Sequence, residues 1–475
     1  MVMGEQTLET EVAVIGGGPG GYAAAFRAAD LGFEVALINQ ESRMGGVCLL
    51  RGCIPSKVLL EVAELIHDVR KARDWGLHFG ELEIDVKALR KRKNLVIDRL
   101  VNGLETLAEK RDVQLVHARA VFETSGQLRL QGEADVAHVK YDYAILASGS
   151  TPIPLPGTQF DRDRRIMSSK EALALPEIPN RLLVVGGGFN GVELGSAYAM
   201  MGSRVTMVEM MDDILPGVDR DLVKPLARRL RKVFDAIHLN TTVASLEETA
   251  DGVAVGLEGE VEESELTFDR VLVAIGRRPN SSDIGLENTE VEVDEDGFVI
   301  VDEQRYTTDK RIFAAGDVTP GPMLAHKAMR DAKTAVGVIA GEPAAFDVRC
   351  MPAVIYTDPQ IAWCGLTEDE ASEQGRDVRV GRFPWAASGR ALTMGEASGV
   401  TKMVFDPETE RLLGVGIAGR DAENLIAEGA LAVEMGAVAQ DLALTVHPHP
   451  TLSETEAEAA DAFLGLATHI LSRRS

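Results

Sequence analysis

Cysteine is scarce in this sequence: only four of the 475 residues are cysteine, at positions 48, 53, 350 and 364. That is far too few for the disulfide-dense scaffold of a small secreted protein, so any disulfide is expected to be catalytic. We interpret Cys350 and Cys364 as buried packing residues of the C-terminal region without a chemical role.

Long apolar runs and a basic leader are also missing. No window approaches the 18 unbroken apolar residues that a membrane span needs. The N-terminal segment carries acidic residues where a secretory signal would be basic, and it runs directly into an apolar strand. We therefore expect a cytoplasmic protein that does not contact a membrane.

Basic residues are fewer than acidic ones. The chain has 49 Lys and Arg and 74 Asp and Glu, which gives a formal net charge of -25. Such a field repels phosphate backbones, so nucleic acid is not an expected partner. Two explanations of the acidity stay open, namely solubility or salt adaptation on one side and docking of a basic partner protein on the other. The length suggests about three domains.

The chain contains an internal repeat. Residues 11–39 run as apolar strand, glycine turn, small-residue helix and second strand, and residues 181–209 repeat that order. Each is a βαβ unit, the half of a dinucleotide-binding fold, so two nucleotides are implied.

Both units carry the G-x-G-x-x-G pattern. Its first glycine permits a tight turn, the second lets the backbone approach a pyrophosphate, and the third lets helix and strand pack closely. With 46 glycines in 475 residues, chance alone gives roughly 0.4 matches, so one match would be weak. The repetition in the same context argues against tight turns alone. The glycines are Gly16, Gly18 and Gly21 in the first unit and Gly186, Gly188 and Gly191 in the second.

The residue that ends each unit bears on the choice of nucleotide. Glu209 is placed to accept hydrogen bonds from ribose hydroxyls, and no arginine follows closely to neutralise a 2′-phosphate, so NAD is favoured over NADP. The first unit has Asn39 at this place, where an acid is expected. These residues alone leave open which unit takes FAD and which takes NAD.

Elsewhere the pattern predicts mixed structure. A helical stretch is expected from Ile54 to about Lys110, followed by short alternating strands to Ser148. A buried strand within residues 307–318 and a helix over residues 324–340 are expected to lie beside the first unit. From Cys350 onward, short strands before three helical stretches predict a separate α+β domain. The apolar residues that we place on one face of the long helix are Leu89, Val96, Leu100 and Leu104.

Cys48 and Cys53 follow the first unit directly, in GGVCLLRGCIPSK, ahead of a helix that starts near Pro55. Thiols near a helix N-terminus react as thiolates. Half a zinc site or two unrelated buried thiols are the alternatives, but no second Cys/His pair with ligand spacing follows, and we expect no metal. A redox disulfide beside a flavin is favoured.

Several further segments follow these motifs in order, and with them nearly the whole chain resembles the pyridine nucleotide-disulfide oxidoreductases. The segments are ASGSTP at 147–152, AIGRRPN at 274–280, IFAAGDV at 312–318, MLAHKA at 323–328 and HPHPTLSE at 447–454. The resemblance implies an α/β protein with two Rossmann-like dinucleotide-binding domains, for FAD and for NAD, and a C-terminal α+β dimerisation domain. The limits that we predict are 1–150 for the FAD-binding domain with the disulfide, 151–278 for the NAD-binding domain, 279–349 for a central part completing the FAD domain, and 350–475 for the interface domain.

The resemblance also implies roles for single residues. Asp317 would bind the ribityl chain of FAD, and Ala325 and His326 would lie at a helix start whose positive end stabilises reduced flavin. Lys57 would approach the flavin and pair with Glu193, which would point toward the nicotinamide. Taken singly, Asp317 is also explained as a turn or cap, and the other two charges as solvated helix residues. The remaining expected contacts are Gly16, Gly18, Gly21, Asn39, Ser148 and Gly149 for FAD, and Gly186, Gly188, Gly191, Glu209 and Gly276 for NAD.

His449 is followed by Glu454, and in this family such a histidine reaches across the dimer as the base for the substrate thiol. The glutamate orients its ring. A single histidine before proline is more often structural, but the HPxxxE pattern in a chain with the cysteine pair favours a function. The resemblance therefore implies a homodimer, because the site uses both chains.

Within the family, the sequence is most similar to the branch that oxidises dihydrolipoyl groups with NAD. The implied partner is a dihydrolipoyl group on a carrier protein, from a 2-oxoacid dehydrogenase complex or a glycine-cleavage system. The alternatives are an NADH-dependent reductase of another disulfide and a subunit that mainly docks in a multienzyme complex. The CIPSK segment, Glu209 and the C-terminal ILSRRS without thiols support the first choice. The departures from the usual pattern are Asn39, Leu50-Arg51 and Phe189-Asn190.

Overall fold

The computed structural model describes residues 6–132, 136–161 and 164–471. The predicted limits at residues 1 and 475, and the end of the ILSRRS segment, lie outside the described residues. Within them, no helix is long and apolar enough to cross a membrane.

The first α/β unit is built on a seven-stranded sheet, of which six strands come early in the chain and the seventh is β17, Ile312–Ala314. Its strands β3, β2, β1 and β6 lie side by side in parallel, and β5 and β4 extend the sheet antiparallel. The second half of β1 is fully buried, as expected for a parallel strand covered on both faces. The strands are β1 Thr7–Ile15, β2 Val35–Asn39, β3 Gln114–His117, β4 Arg119–Thr124, β5 Gln127–Gln131, β6 His138–Leu146 and the separate β7 Ser150–Pro152.

Four helices accompany this sheet, and the predicted helical stretch is interrupted. Residues 72–85 separate α3 from α4: Ala72–Trp75 form a short 3₁₀ helix, and residues 76–85 contain no helix. The side chain of Asp85 caps α4 by accepting hydrogen bonds from the N–H groups of Lys87 and Ala88. The helices are α1 Pro19–Asp30, α2 Gly46–Arg51, α3 Cys53–Lys71 and α4 Val86–Glu109.

The predicted buried face of α4 is partly wrong. Leu89 is buried, but Leu100 is 41% exposed, and the buried stripe continues instead through Lys93, Ile97 and Val101. Both stripes have helical spacing, and packing against α2 and α3 selects the one that contains a lysine.

The second α/β unit repeats the parallel arrangement with the strand order β11-β10-β9-β15-β8. A three-stranded antiparallel sheet, β12 to β14, lies beside it, and β16 pairs with β7 of the first unit. The strands are β8 Ile166–Met167, β9 Arg181–Val185, β10 Arg204–Val208, β11 Ala236–His238, β12 Thr241–Glu248, β13 Val253–Gly259, β14 Glu265–Phe268, β15 Arg270–Val273 and β16 Arg277–Pro279. The helices are α5 Ser169–Ala174, α6 Phe189–Met201 and α7 Arg220–Val233.

The chain then returns to the first sheet, as predicted. Strand β17, Ile312–Ala314, pairs in parallel with β6, and α8, Ala325–Ile339, packs against α1. Phe313 of β17 is fully buried, and burial of such a side chain contributes about 1.5–3 kcal/mol. This return completes the first unit from residues far apart in sequence.

The C-terminal unit is a five-stranded antiparallel sheet covered by helices. Its strand order is β18-β19-β22-β21-β20, and Cys350 and Cys364 lie buried in its core, as predicted. The strands are β18 Ala353–Ile355, β19 Gln360–Gly365, β20 Arg379–Pro384, β21 Val400–Phe405 and β22 Leu412–Gly419. The helices are α9 Glu368–Glu373, α10 Gly389–Met394, α11 Ala422–Met435, α12 Ala439–Leu444 and α13 Glu454–Leu464.

A buried lysine joins the C-terminal unit to the second one. The Nζ atom of Lys402 lies 2.5 Å from Asp219, 2.8 Å from Asp221 and 2.7 Å from Glu368. A buried ammonium group requires such partners. The three carboxylates, which could otherwise hold a cation, therefore compensate a side chain of the protein itself.

Candidate active site

The glycine turns of both units have the steric requirements of dinucleotide sites. A Cβ atom on Gly16 would overlap the carbonyl of Ala147, and one on Gly21 would overlap the carbonyl of Gly16. By contrast, a Cβ atom on Gly18 would meet only the Cα of Gly46, at 3.8 Å. The turn and the packing glycine are thus sterically required, whereas the middle glycine leaves space for a diphosphate.

The second unit shows the same division of roles. A Cβ atom on Gly186 would crowd the carbonyl of Ala274, and one on Gly191 would overlap the carbonyl of Gly186. A Cβ atom on Gly188 would have nothing within 4 Å. The residues at both turns therefore fit a dinucleotide whose diphosphate faces a helix N-terminus.

A cavity of about 960 Å³ extends from the first glycine turn to the start of α6. It is large enough for a cofactor. Its lining includes the two cysteines at one place and the first residues of α6 at another. The predicted site residues among its lining are Gly16, Gly18, Asn39, Cys48, Cys53, Lys57, Ser148, Gly149, Glu193, Asp317 and Ala325.

Asn39 and Glu209 occupy corresponding places in the two units. The Oδ1 atom of Asn39 accepts a hydrogen bond from the N–H of Gly17 at 3.2 Å, and Oε2 of Glu209 accepts one from Gly187 at 2.6 Å. The Oε1 atom of Glu209 accepts a further hydrogen bond from Met211 at 2.9 Å. Both side chains are thereby fixed beside the turn that would hold the nucleotide.

Asp317 lies in a polar group that closes one wall of the cavity. It accepts a hydrogen bond from the hydroxyl of Ser150 at 2.5 Å, and the Nε of Arg277 lies 2.7 Å from the same hydroxyl. Burial lowers the pKa of the Arg277 guanidinium, and Asp317 opposes that shift. Ser148 donates to the carbonyl of Asn280 at 2.7 Å, which ties this wall to the segment after β16.

Cys48 and Cys53 form a disulfide, with their Cα atoms 4.6 Å apart. Cys48 lies on the short helix α2, and Cys53 is the first residue of the 19-residue helix α3. The partial positive charge at the start of α3 favours a thiolate at this position. The cysteines are thus paired with each other, as the family resemblance implied.

Lys57 and Glu193 meet at the junction of the two α/β units. The Nζ atom of Lys57 donates to both carboxylate oxygens, at 3.2 and 3.0 Å. Glu193 is buried, and Lys57 is partly exposed. The carboxylate is removed from water and both of its oxygens accept from the same ammonium group, so these residues are not merely solvated helix charges.

Of the two FAD contacts predicted at the start of α8, the structure places only one in the lining of the cavity. Ala325 is the first residue of α8 and lines the cavity. The ring of His326 instead contacts the carbonyl of Pro352 at 2.8 Å through Nε2.

Two further predicted contacts are glycines for a conformational reason. Gly149 and Gly276 both have positive φ values, 75° and 124°, in the region that favours glycine.

His449 and Glu454 form a pair at the other end of the chain. The Nδ1 atom of the ring lies 2.8 Å from Oε1 of the carboxylate, and the histidine side chain is 73% exposed. Burial raises the pKa of the Glu454 carboxyl, but the Thr451 N–H and the His449 ring outweigh it and hold that pKa below its usual value. An ionised glutamate that accepts from Nδ1–H leaves Nε2 as the basic nitrogen.

This pair is separate from the disulfide within one chain. Among the described residues, the lining of the cavity includes neither His449 nor Glu454. The structure therefore brings together the cysteines, the lysine and the glycine turns, but leaves the histidine pair on an exposed surface.

Some cavity residues were not predicted. Arg51 pairs with Glu41 through two contacts, one of them 2.7 Å long. Phe189, the first residue of α6, packs edge-on against Trp363 with ring centroids 5.6 Å apart. Both residues depart from the usual family pattern, and each has a defined partner in this structure. The partners lie 10 and 174 positions away in the sequence, so no local motif indicates these contacts.

The two α/β units each carry a glycine turn of the dinucleotide-binding kind, and the cavity between the first turn and α6 contains the disulfide. Together these features define an oxidoreductase that uses a disulfide and two nucleotides. A family profile described as pyridine nucleotide-disulphide oxidoreductase matches residues 10–332, and the dimerisation domain of the same family matches residues 351–460. The chain belongs to the pyridine nucleotide-disulphide oxidoreductase family, whose cofactors are FAD and NAD. The predicted fold class is confirmed.

Relatives of known function are similar over the full length. The dihydrolipoyl dehydrogenase of Vibrio parahaemolyticus is 42% identical over 469 residues, which is 98% of each chain. That of Halobacterium salinarum is 42% identical over 477 residues, covering 100% of both chains. Among solved structures, LpdA from Mycobacterium tuberculosis is 27% identical with a TM-score of 0.87, covering 95% of this chain and 99% of the other. The flavoprotein disulfide reductase RclA from Escherichia coli is 28% identical with a TM-score of 0.84, covering 95% and 99%.

Proposed function

We propose that the protein is a dihydrolipoyl dehydrogenase that oxidises dihydrolipoyl groups and passes the electrons to NAD. The observation that carries the proposal is the Cys48–Cys53 disulfide at the start of α3, in a cavity that extends from the first glycine turn to Glu193. Full-length relatives with this activity support the choice of substrate. The proposal also includes the domain limits that we predicted from the sequence, namely 1–150, 151–278, 279–349 and 350–475.

The cofactors are assigned by position. The first glycine turn would hold FAD, with Asn39 as a contact for its adenosine part and Asp317 as a contact for its ribityl chain. The second turn would hold NAD, with Glu209 as a contact for its adenosine ribose. The direct bonds of Asn39 and Glu209 to the turn backbones support both assignments, because they hold these side chains beside the diphosphate position.

The reaction begins at His449. Its Nε2 takes the proton of one substrate thiol, and the resulting thiolate attacks Sγ of Cys48. The Cys48–Cys53 bond breaks, its electron pair leaves with Cys53, and the substrate sulfur is bonded to Cys48. The positive end of α3 stabilises the thiolate of Cys53.

The second substrate thiol completes the exchange. Its proton passes to solvent, and the resulting thiolate attacks the substrate sulfur of the mixed disulfide, so that the cyclic disulfide product leaves and Cys48 becomes a thiolate. The substrate has then lost two electrons and two protons, and the cysteine pair holds the electrons. Bound FAD and NAD supply the two-electron acceptors that restore the disulfide. Lys57 and Glu193 form a charged pair between the two nucleotide positions.

The position of His449 supports a homodimer. The histidine pair is exposed and lies outside the cavity of its own chain, so a second copy is needed to bring it to the disulfide. A dimerisation-domain match covers residues 351–460. Large apolar side chains of that unit are exposed in the single chain, as expected for a surface that another copy covers. They are Leu431, Met435, Leu444 and Val446.

A substrate panel tests the proposal. We expect dihydrolipoamide to be oxidised with NAD far faster than other dithiols, and the variant Cys48→Ser to lose that reaction while it still passes electrons from NADH to an artificial acceptor. Preference for another disulfide as electron acceptor would favour a different reductase of the same family. Loss of both activities in the Cys48→Ser variant would contradict the proposed path.

A further inference from the structure

Tyr356 follows β18 of the C-terminal unit and reaches the junction between the two α/β units. Its partners there come from different parts of the chain, because Lys57 lies on α3 and Glu193 on α6. The three residues therefore come from three different units of the fold, one from each.

Tyr356 contacts both members of the charged pair. The Nζ atom of Lys57 lies 4.0 Å from the centroid of the tyrosine ring. The backbone N–H of Tyr356 donates to Oε1 of Glu193 at 2.9 Å. One residue thus holds the ammonium group through its ring and the carboxylate through its backbone.

The two contacts act on different degrees of freedom. An ammonium group over an aromatic face is attracted by the ring quadrupole, and the attraction grows when water is excluded. The hydrogen bond from the backbone fixes one carboxylate oxygen of the buried Glu193 and is independent of the tyrosine side chain. Lys57, whose flexible four-carbon stem could take many rotamers, is confined between the ring and the carboxylate.

The same segment is attached on its other side. Asp358 accepts a hydrogen bond from Nε of Arg229 on α7 at 3.1 Å and lies 3.4 Å from Nε2 of His67 on α3. The segment from Tyr356 to Asp358 is thereby fixed to both α/β units. Its position, and with it the tyrosine ring, follows from the assembly of the three units.

We infer that Tyr356 is a positioning residue for the Lys57–Glu193 pair, with its ring confining the lysine ammonium group and its backbone confining the glutamate carboxylate. Its consequence for hydride transfer rests on the proposed function, in which this pair lies between the two nucleotides. The contact itself does not depend on that function, so the two can be tested separately.

The test uses the holoenzyme and three substitutions of Tyr356, of which one keeps an aromatic ring and two remove it. Tyr356→Phe keeps the aromatic face, whereas Tyr356→Leu removes it, and both keep the backbone N–H. Tyr356→Met provides a second side chain without a ring. Tyr356→Phe is the matched control, and Asp358→Asn shows the effect of loosening the segment alone, because it weakens the attachment of that segment without touching Lys57 or Glu193.

Two readouts are compared. The rate at which acetic anhydride acetylates Lys57, measured by mass spectrometry, is expected to rise about three- to tenfold in the Leu and Met variants, because the cation–π contact no longer confines the amine. It should stay at the level of the unaltered protein in the Phe variant and rise less in the Asn variant than in the variants without a ring. The rate of flavin reduction by NADH in a single turnover is expected to fall most in the Leu and Met variants and to stay unchanged in the Phe variant, with little change in the affinity for NADH.

An unchanged acetylation rate in both variants without a ring would overturn the inference, and so would an equal rise in the Tyr356→Phe variant, which keeps the ring. A raised acetylation rate with an unaltered reaction with NADH would support the positioning of the pair. That result would count against the proposed place of the pair in the electron path.

Discussion

The side-chain oxygen of Asn39 accepts a hydrogen bond from the N–H of Gly17 at 3.2 Å, as the carboxylate of Glu209 does from Gly187 at 2.6 Å in the second unit. Asn39 is the last residue of β2 and Glu209 directly follows the equivalent strand β10, yet only one of the two is an acid. The Nδ2 of Asn39 donates to the carbonyls of Glu41 and Arg43, at 2.8 and 2.9 Å. An aspartate could not make these two bonds, so the loop after β2 requires the amide.

Asn39→Asp is therefore expected to destabilise the protein although it restores the usual acid. Two carbonyls lose their donor and face a buried carboxylate, which should lower the free energy of unfolding by about 1–3 kcal/mol. Denaturant unfolding followed by circular dichroism measures the change. Gln40→Glu, which adds the same charge at an exposed neighbour, is the control, and an equal loss in both variants would contradict the account.

Glu209→Gln is expected to weaken binding of NADH. An amide has one acceptor oxygen, so its NH₂ group must oppose one of the N–H groups of Gly187 and Met211 that the carboxylate now satisfies. The dissociation constant of NADH should rise roughly tenfold, with a smaller preference over NADPH. Titration of protein fluorescence gives both constants. An unchanged constant for NADH would place the adenosine ribose elsewhere.

Glu454→Gln is expected to reduce oxidation of the dithiol substrate without reducing the reaction of NADH with an artificial acceptor. The carboxylate holds Nδ1 of His449 and stabilises the imidazolium that forms when the ring takes a proton. A fall in kcat/KM on the order of 100-fold is expected. Equal losses in both reactions would mean that the glutamate serves the fold instead.

Hybrid dimers test the assignment of the two halves of the site to different chains. Cys48→Ser and His449→Gln should each be nearly inactive toward dihydrolipoamide. Mixing and reassociating them should restore about a quarter of the normal activity, since half of the dimers then carry one intact site of two. Activity that does not return after verified exchange of subunits would place both groups in the same chain.

Glu456→Leu is expected to stabilise the protein. The carboxyl of Glu456 is fully buried, and neither oxygen has a hydrogen-bond partner among the described residues. Replacing an unpaired buried polar group by an apolar one should raise the free energy of unfolding by about 1–3 kcal/mol at neutral pH. Gln at this position keeps the polar atoms and should give a smaller gain.

The gain should depend on pH. Burial, and then the nearby Glu428, raise the pKa of Glu456 well above its ordinary value. The folded protein therefore keeps a proton that the unfolded chain releases above about pH 4.3, so stability falls as the pH rises from there toward the raised pKa. The Leu variant lacks this loss, and its advantage should grow with pH. An advantage that is constant with pH would mean that Glu456 does not titrate in this way.

Short-range motifs made much of the fold and the cysteine site predictable. The glycine turns, the cysteine pair and the βαβ units are each specified within about 30 residues, where spacing translates directly into geometry. The Lys57–Glu193 pair, separated by 136 positions, was expected from the family resemblance, and the structure places it in contact. No local pattern could have supplied it.

The parts that were missed depend on packing between distant segments. Helix α4 has two stripes with helical spacing, and composition favoured the one through Leu100, whereas the protein buries the one through Lys93. Tyr356 contacts Lys57 from the other end of the chain, and nothing in its neighbourhood marks it.

The most direct test of the central claim is an anaerobic titration of the oxidised holoenzyme with dihydrolipoamide, followed by NAD, while the visible spectrum of the flavin is recorded. The account predicts that the dithiol changes the flavin spectrum stoichiometrically and that NAD then restores the oxidised spectrum with formation of NADH. A flavin that NADH reduces but dihydrolipoamide leaves unchanged would contradict the account and point to another disulfide as the substrate.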